Sequence, residues 1–474
     1  MSIPIISAIA LDLGTTSIKA GLLGQDGVIN NIVAQAAPQI SVNGGLYESD
    51  ALVYAETAER VLGECLVNAG SLPPLGVSSQ RSSFLIWERA TGQPLTPLIS
   101  WQDNRGANSC IVLQDSERLV NKLTGLRLTP YYLAPKLRVV LLNNPDWRRK
   151  LEQGELLVGT LDTFLIWRWT GGKYHISDAS MAARTILMDI RQQRWSPTLC
   201  ELFGIPLSIL PQIIPSTGLN LRLEQGLSLQ ASLGDQSAAL IASIGDNCSE
   251  VLANLGTGGF VVRNLSEGNL AECSSTQGYL RTLVYQEKNQ HTHFAIEGTL
   301  NSLAAALTSY PVGECRTEDL AMGDIFAIAE PSGLGAPYFR NDLGIRFSRP
   351  HEHLTQRQVA CLLLEGIIFR VARILEDFHH QSAIKHVYLS GGLSELSYLQ
   401  QGIAQCAPCD VYRMPQKDSS LQGAAMLAAG MASASCIESN EKKAKIIEVS
   451  KNASSLQNKY LHWKGWFDTL LDLS

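Results

Sequence analysis

The chain opens on an apolar run, Ile5 to Leu13, that breaks at Gly14-Thr15-Thr16-Ser17 and resumes from Ile18 to Leu23 before Gln25-Asp26-Gly27. Isoleucine-rich runs of that length, bounded by glycine and hydroxyl residues, predict a strand, a tight turn, a returning strand and a further hairpin turn. A similar unit recurs about half a chain later: Val251 to Leu255, then Gly256-Thr257-Gly258-Gly259, then Phe260-Val-Val. The two read Asp-Leu-Gly-Thr-Thr and Asn-Leu-Gly-Thr-Gly, which predicts two halves built on one plan. Elsewhere the period changes. Tyr54 to Val67 and Val359 to Phe378 carry helical spacing. Val387 to Leu389 predicts a strand ending in Ser390-Gly391-Gly392, with a small-residue helix, Leu421 to Met431, behind it. This alternation points to an α/β protein. A boundary is expected near residues 235–250. The tail from about Glu438 reads as polar and then helical, with Tyr460, Trp463 and Trp466 on a packing face.

Composition narrows the class. At 474 residues the chain exceeds one ordinary core and calls for two to three domains. With 45% hydrophobic and 17% charged residues it is globular rather than disordered. A net charge of -6 gives no general attraction for nucleic acid or anionic membrane, so neither is expected as a partner. Lys442, Lys443 and Lys445 are interleaved with acids and read as a solvated helix face. The apolar N-terminal run lacks a basic leader and enters a polar turn at Asp12, so a buried strand is expected in place of a signal peptide. No window approaches the ~18 apolar residues of a membrane helix. Ten scattered cysteines read as reduced thiols in a cytoplasmic protein. Cys406-Ala-Pro-Cys409 has metal or redox spacing but no second ligand pair nearby, and is read as structural.

Three places carry candidate chemistry. In Asp12-Leu-Gly-Thr-Thr-Ser17 a glycine turn lets backbone N–H groups converge, and Thr15, Thr16 and Ser17 add hydroxyl donors, a combination suited to phosphate oxygens. Asp12 at the strand end could hold Mg²⁺ through water, and Lys19 on the returning strand is placed to meet phosphate. An ordinary hairpin, with threonine for its strand propensity, explains the same letters. Gly256-Thr257-Gly258 offers the same chemistry in the second half. Neither turn is a GxxxxGK[ST] loop or a GxGxxG fingerprint. Third, Gly234-Asp235-Gln236 follows an apolar stretch. Asp235 can accept the proton of a phosphoryl acceptor, or simply cap a helix.

Taken in order, these motifs and others resemble the FGGY family of carbohydrate kinases, closest in wording to its glycerol kinase branch. The resemblance runs from about Ile9 to Gly430. It includes Ala10-Leu-Asp-Leu-Gly-Thr-Thr-Ser17, Ser79-Gln80-Arg81, Ser100-Trp101-Gln102-Asp103-Asn-Arg105, Pro130-Tyr131-Tyr132 and Lys136. It continues through Asp178-Ala-Ser180, Arg184-Thr185, Gly234-Asp235-Gln236 and Gly256-Thr257-Gly258 to Gly333-Leu-Gly-Ala-Pro-Tyr338, Glu365-Gly366 and Gly391-Gly392.

The resemblance implies two actin-like (RNase H-type) ATPase domains with an interdomain cleft that closes on ATP and substrate. It divides the chain into 1–240, with the substrate site and first phosphate turn, 241–437, with the nucleotide site, and a helical tail 438–474. It ties Asp12 to Mg²⁺, Thr15, Thr16 and Ser17 to phosphates, Thr257 to the second phosphate turn, and Gly391 with Gly392 to the adenosine. It makes Asp235 the general base, beside a polyol pocket of Arg81, Trp101, Tyr131 and Gln236.

Departures accompany the match. Ser82 replaces the glutamate that glycerol kinases carry after the matching arginine, which leaves room for a longer acceptor. Ala304 and Thr308 stand near the usual glycine and glutamine, and Leu396 near the usual asparagine. The expected activity is ATP-dependent phosphorylation of a small polyol or sugar. A pentulose kinase such as xylulokinase is the alternative, and a nucleotide sensor or actin-like ATPase the less favoured one. A metal-dependent hydrolase ranks last, because His351 and His353 lack suitably spaced carboxylates and are expected on a loop. Self-association is left open.

Overall fold

The computed structural model describes residues 6–266, 278–289, 291–414, 418–431, 444–449 and 453–472. Residues 1–5 of the opening run, Lys442 and Lys443 lie outside them. The chain divides into two compact units: Met1–Gly245 with Arg281–Phe294 and Asp418–Cys436, and Asp246–Leu280 with Ala295–Lys417 and Ile437–Ser474.

The first unit is organised by a six-stranded sheet in the order Thr217–Arg222, Ser228–Gly234, Leu75–Ser79, Ile6–Leu13, Ser17–Gly24, Ile29–Ala36. Ala8 to Leu11 are buried without alternation, as a strand covered on both faces requires. The expected opening hairpin forms, with Asp12 opposite Lys19. Parallel pairing sets Asp12 beside Ser78, and Gly234 beside Ser79. Three strand ends therefore share one edge, with Asp12 near the end of its strand and Gln80 and Asp235 just beyond theirs. The carboxyl ends of parallel strands are where open α/β sheets bind ligands.

Helix Ser419–Ala428 covers this sheet and helix Asp235–Ile244. It was expected behind Val387–Leu389, and the structure corrects that placement. A Cβ on Gly423 would stand 1.8 Å from the Ala238 carbonyl oxygen, and one on Gly76 2.1 Å from that of Ala424. Such contact of backbone on backbone needs a small residue on each side, and the first unit supplies the matching surface. A second sheet of this unit runs Ser41–Asn43, Leu46–Ser49, Leu98–Ile99, Phe84–Glu88, Leu156–Thr160, and delivers the loop Ser100–Arg105.

In the second unit Glu250–Leu255 pairs antiparallel with Gly259–Leu265 and parallel with His386–Ser390, which pairs parallel with Asp410–Arg413. Helix Gln356–Gln381 starts in a capping box of Thr355 and Gln358. It buries Arg370 against Glu330 at 2.7 Å. Helix Ala453–Asp472 docks through Leu456, Tyr460, Trp463 and Phe467, spaced for one face. Trp463 stacks on Phe467 with centroids 4.5 Å apart, while Trp466 is half-buried near Phe326. The expected packing residues Tyr460, Trp463 and Trp466 all meet the core, and Phe467 joins them. His351 lies outside helix and strand, its ring stacked on Phe347 at 3.8 Å. Cys406 and Cys409 are half-buried free thiols, both pushed up by desolvation.

Candidate active site

The first turn is held from three sides. Tyr54 donates its hydroxyl to the Gly14 carbonyl at 2.7 Å. Trp101 donates its indole N–H to Thr15 Oγ1 at 3.0 Å, and Thr15 reaches Gln80 at 3.3 Å. Thr16 is exposed at the turn's apex. Asp12, just before it, accepts from the hydroxyls of Ser78 and, at 2.9 Å, Ser420. Burial pushes the Asp12 carboxyl up to about 6. The two hydroxyls pull it down, and the negative charge of Asp235 adds to the rise. Such a carboxylate gains from a cation, so Asp12 fits a water-mediated Mg²⁺. Lys19 is tied to Asp418 at 2.7 Å.

Asp235 opens helix Asp235–Ile244, one residue after the cap position that Gly234 takes. Its Oδ1 accepts from the Gln236 backbone N–H at 2.7 Å and lies 3.6 Å from Arg81 Nε. Desolvation raises its carboxyl above the ordinary range, against the pull of Arg81. Arg81 also donates to the Gln236 side chain. Gly234 is needed for this arrangement, because a Cβ there would sit 2.8 Å from Arg81 Cδ. The strand end is fixed from below. Gly234 N donates to Ser180 Oγ at 2.9 Å, and Asp178 caps helix Ala179–Ala183 through Ser180 and Met181.

Beside this group two aromatics face solvent. Trp101 is 37% and Tyr131 53% exposed, with ring centroids 6.2 Å apart. Large exposed rings next to charged and amide groups suit the C–H faces of a small hydroxylated ligand. Their loops converge on Lys136, which is fully buried. Its ammonium donates to the carbonyls of Ser100 at 2.8 Å, Ser82 at 3.2 Å and Tyr131 at 3.2 Å. Desolvation lowers its pKa to about 7, with Asp103 opposing. Ser82 has φ +65° and donates to the Arg184 carbonyl at 2.8 Å, so its hydroxyl is already engaged.

In the second unit the turn Gly256-Thr257-Gly258 closes with Gly256 N donating to Gly258 O at 2.9 Å. Thr257 accepts at its carbonyl from Ala304 N at 3.1 Å. Gly391, at φ +85°, is next to the same strand: a Cβ would meet Leu255 O at 2.4 Å and Asn254 Oδ1 at 2.5 Å. Gly392 begins a short 3-10 turn behind it. The two glycine segments of this unit are thus neighbours.

Sequence reasoning missed Ser78, Tyr54, Asp418 and Ser420 as partners of the first turn, and the triple role of Lys136. Asp418 and Ser420 carry a local signal, since Asp-Ser-Ser before a small-residue run marks a helix start. Nothing local ties that start to a strand about four hundred residues earlier.

The model of the FGGY family of carbohydrate kinases, N-terminal domain, matches residues 7–253, and that of its C-terminal domain residues 251–432. A glycerol kinase of Alkalilimnicola ehrlichii is 33% identical over 453 residues, covering 89% of both chains. One from Trichodesmium erythraeum is 31% identical over 501 residues, covering 96% of both. Among solved structures, Plasmodium falciparum glycerol kinase with ADP superposes with a TM-score of 0.84 at 22% identity, covering 98% of each chain. Xylulose kinase from Rhodospirillum rubrum gives 0.79 at 18%, covering 98% of this chain and 99% of that one. The chain belongs to the FGGY family of carbohydrate kinases. Its reaction is the ATP-dependent phosphorylation of a hydroxyl on a small polyol or sugar. No helix among the described residues is long and apolar enough to cross a membrane.

Proposed function

We propose that the chain phosphorylates glycerol or a closely similar polyol, with Asp235 as general base. The observation that supports this most is the Arg81–Asp235–Gln236 group: a carboxylate raised by desolvation, held beside a guanidinium and an amide that can grip neighbouring hydroxyls. The acceptor hydroxyl gives its proton to the Asp235 carboxylate as its oxygen bonds to the γ-phosphorus and the bond to the β-phosphate oxygen breaks. Arg81 and Gln236 orient the acceptor, and Trp101 and Tyr131 supply its apolar wall. Thr15, Thr16, Ser17 and Lys19 of the first unit and Gly256, Thr257 and Gly258 of the second meet phosphate oxygens, while Gly391 and Gly392 meet the adenosine. Asp12 would hold Mg²⁺ through water, and the ion would neutralise phosphate charge. Residues 1–240 and 241–437 form the two kinase domains of this reading, with 438–474 as a tail.

A pentulose acceptor is the second reading. It rests on Ser82, whose short side chain replaces a carboxylate in the pocket and is turned to the Arg184 carbonyl. An ADP-release screen over glycerol, erythritol, xylulose, ribulose and gluconate separates the two. Glycerol or erythritol should give the highest kcat/KM. A pentulose preference of tenfold or more would replace the first reading with the second, and ADP release without any acceptor would remove both.

A further inference from the structure

The strands Leu280–Gln286 and Thr292–Leu300 lie beside side chains, those of Glu287, His291 and His293, that the kinase reaction does not use. Glu287 N donates to His291 O at 2.8 Å, which registers the two strands at the turn. Alternation along the second strand puts His291 and His293 on one face. Thr292, between them, turns the other way and bonds Gln193 Oε1 at 3.0 Å. Glu287 reaches across to the histidine face, with Oε1 2.9 Å from His293 Nε2. The His293 ring is fixed by stacking on Tyr285, with centroids 4.1 Å apart and planes 6° from parallel. The His291 ring meets it edge-on at 4.6 Å and 85°. One donor atom from each of Glu287, His291 and His293 lies within 4.8 Å of the others.

From these positions we propose that Glu287, His291 and His293 form a binding site for a divalent transition metal ion of the zinc class. Two imidazoles and one carboxylate are a donor set for borderline ions such as Zn²⁺, Co²⁺ or Ni²⁺. Mg²⁺ favours an all-oxygen octahedral shell and is discriminated against. A tetrahedral ion holds its donors roughly 3.3 Å apart when each bond is about 2.0–2.1 Å. The glutamate–histidine pair, at 2.9 Å, is closer than that, and all three donors lie within 4.8 Å of one another, so small side-chain rotations would bring them to bonding distance. The site takes one ion with a water on its fourth position, and it cross-links the two strands through their side chains.

The test uses the full chain, stripped with a chelator and then titrated with Co²⁺ and Zn²⁺. Wild type should bind one ion per chain, with the visible spectrum of tetrahedral nitrogen–oxygen Co²⁺ and a rise in Tm on adding Zn²⁺. His293→Gln and Glu287→Gln should each weaken binding at least tenfold. The double variant His291→Ala/His293→Gln should lose both the spectrum and the Tm response. Kinase turnover with Mg-ATP should stay within about twofold in every variant, which also reports that they fold. A wild-type chain that binds no Co²⁺, or variants that keep its affinity, would overturn the site. So would a thiolate charge-transfer band that persists in the double variant, since it would assign the ion to cysteines.

Discussion

Replacing Asp235 by Asn tests the centre of the proposed mechanism with almost no change of shape. The amide keeps the size of the carboxyl and can still accept from the Gln236 backbone N–H, a contact of 2.7 Å in the native chain. Arg81 loses its ionic neighbour at 3.6 Å but keeps the Gln236 side chain. The pocket should therefore persist, and the acceptor KM should change by less than about tenfold. What disappears is the proton acceptor. A positioned general base contributes roughly 10²–10⁴ in rate, which corresponds to about 2.7–5.4 kcal/mol in the barrier at 25 °C. The assay is coupled ADP release with the best acceptor of the wild type, read as kcat and KM separately, beside nucleotide affinity from a binding titration. kcat should fall at least a hundredfold with nucleotide affinity unchanged. Because desolvation raises both Asp12 and Asp235, wild-type kcat/KM should decline on the acid side above the ordinary carboxylate range, as either group takes a proton. In the Asn variant any remaining decline should follow Asp12 and move below about pH 6, because the Asp235 charge that adds to its rise is gone. A variant turning over within tenfold of wild type would refute the assignment of Asp235.

Four further outcomes follow from other contacts. A proton on Asp12 competes with the metal, so apparent Mg²⁺ affinity should weaken by up to about tenfold for each pH unit below about 6 and stay level above pH 7, measured as Mg²⁺ titrations of activity; an Asp12→Asn variant with unchanged Mg²⁺ requirement would count against its role. Lys136→Met removes the shared donor of the Ser82, Ser100 and Tyr131 carbonyls, so acceptor KM should rise tenfold or more while kcat falls less. The same lysine has a folded pKa lowered from 10.5 to about 7, so between those values the unfolded chain holds a proton that the folded chain lacks. Native stability should therefore gain up to about 1.4 kcal/mol per pH unit on going from pH 7 to pH 9, and the Met variant should lose that slope in denaturant unfolding. Gly391→Ala forces a Cβ within 2.4 Å of Leu255 O at a φ of +85°, and should weaken nucleotide binding at least tenfold in a direct titration.

Much of the site could be read from the chain because its pieces are local. The hairpin Ile6–Gly24 follows from a sharp switch between apolar runs and a glycine–hydroxyl turn, and the Gly256 turn follows from the same switch. Gly391 and Asp235 sit where a strand gives way to a turn or a helix, which polarity also marks. The parts that were not legible are relations between distant elements. Gly423 looks like any small helical residue until the Ala238 carbonyl is known to lie 1.8 Å from its missing Cβ. Pattern alone assigned its helix to the strand Val387–Leu389, whereas close approaches tie it to helix Asp235–Ile244 through Gly423 and to strand Leu75–Ser79 through Gly76. Those approaches also bring Ser420 to Asp12 and Asp418 to Lys19. The electrostatic state of the proposed metal carboxylate is therefore set partly by a helix whose place depends on two missing side chains. A Cβ at position 423 would have to push the helix off Ala238 and carry Ser420 with it. Loss of that hydroxyl donor removes one of the two hydroxyls that hold Asp12 down, and so raises its pKa further. Packing and charge at this site are one constraint, and a substitution with no polar atom should register as a change in metal dependence.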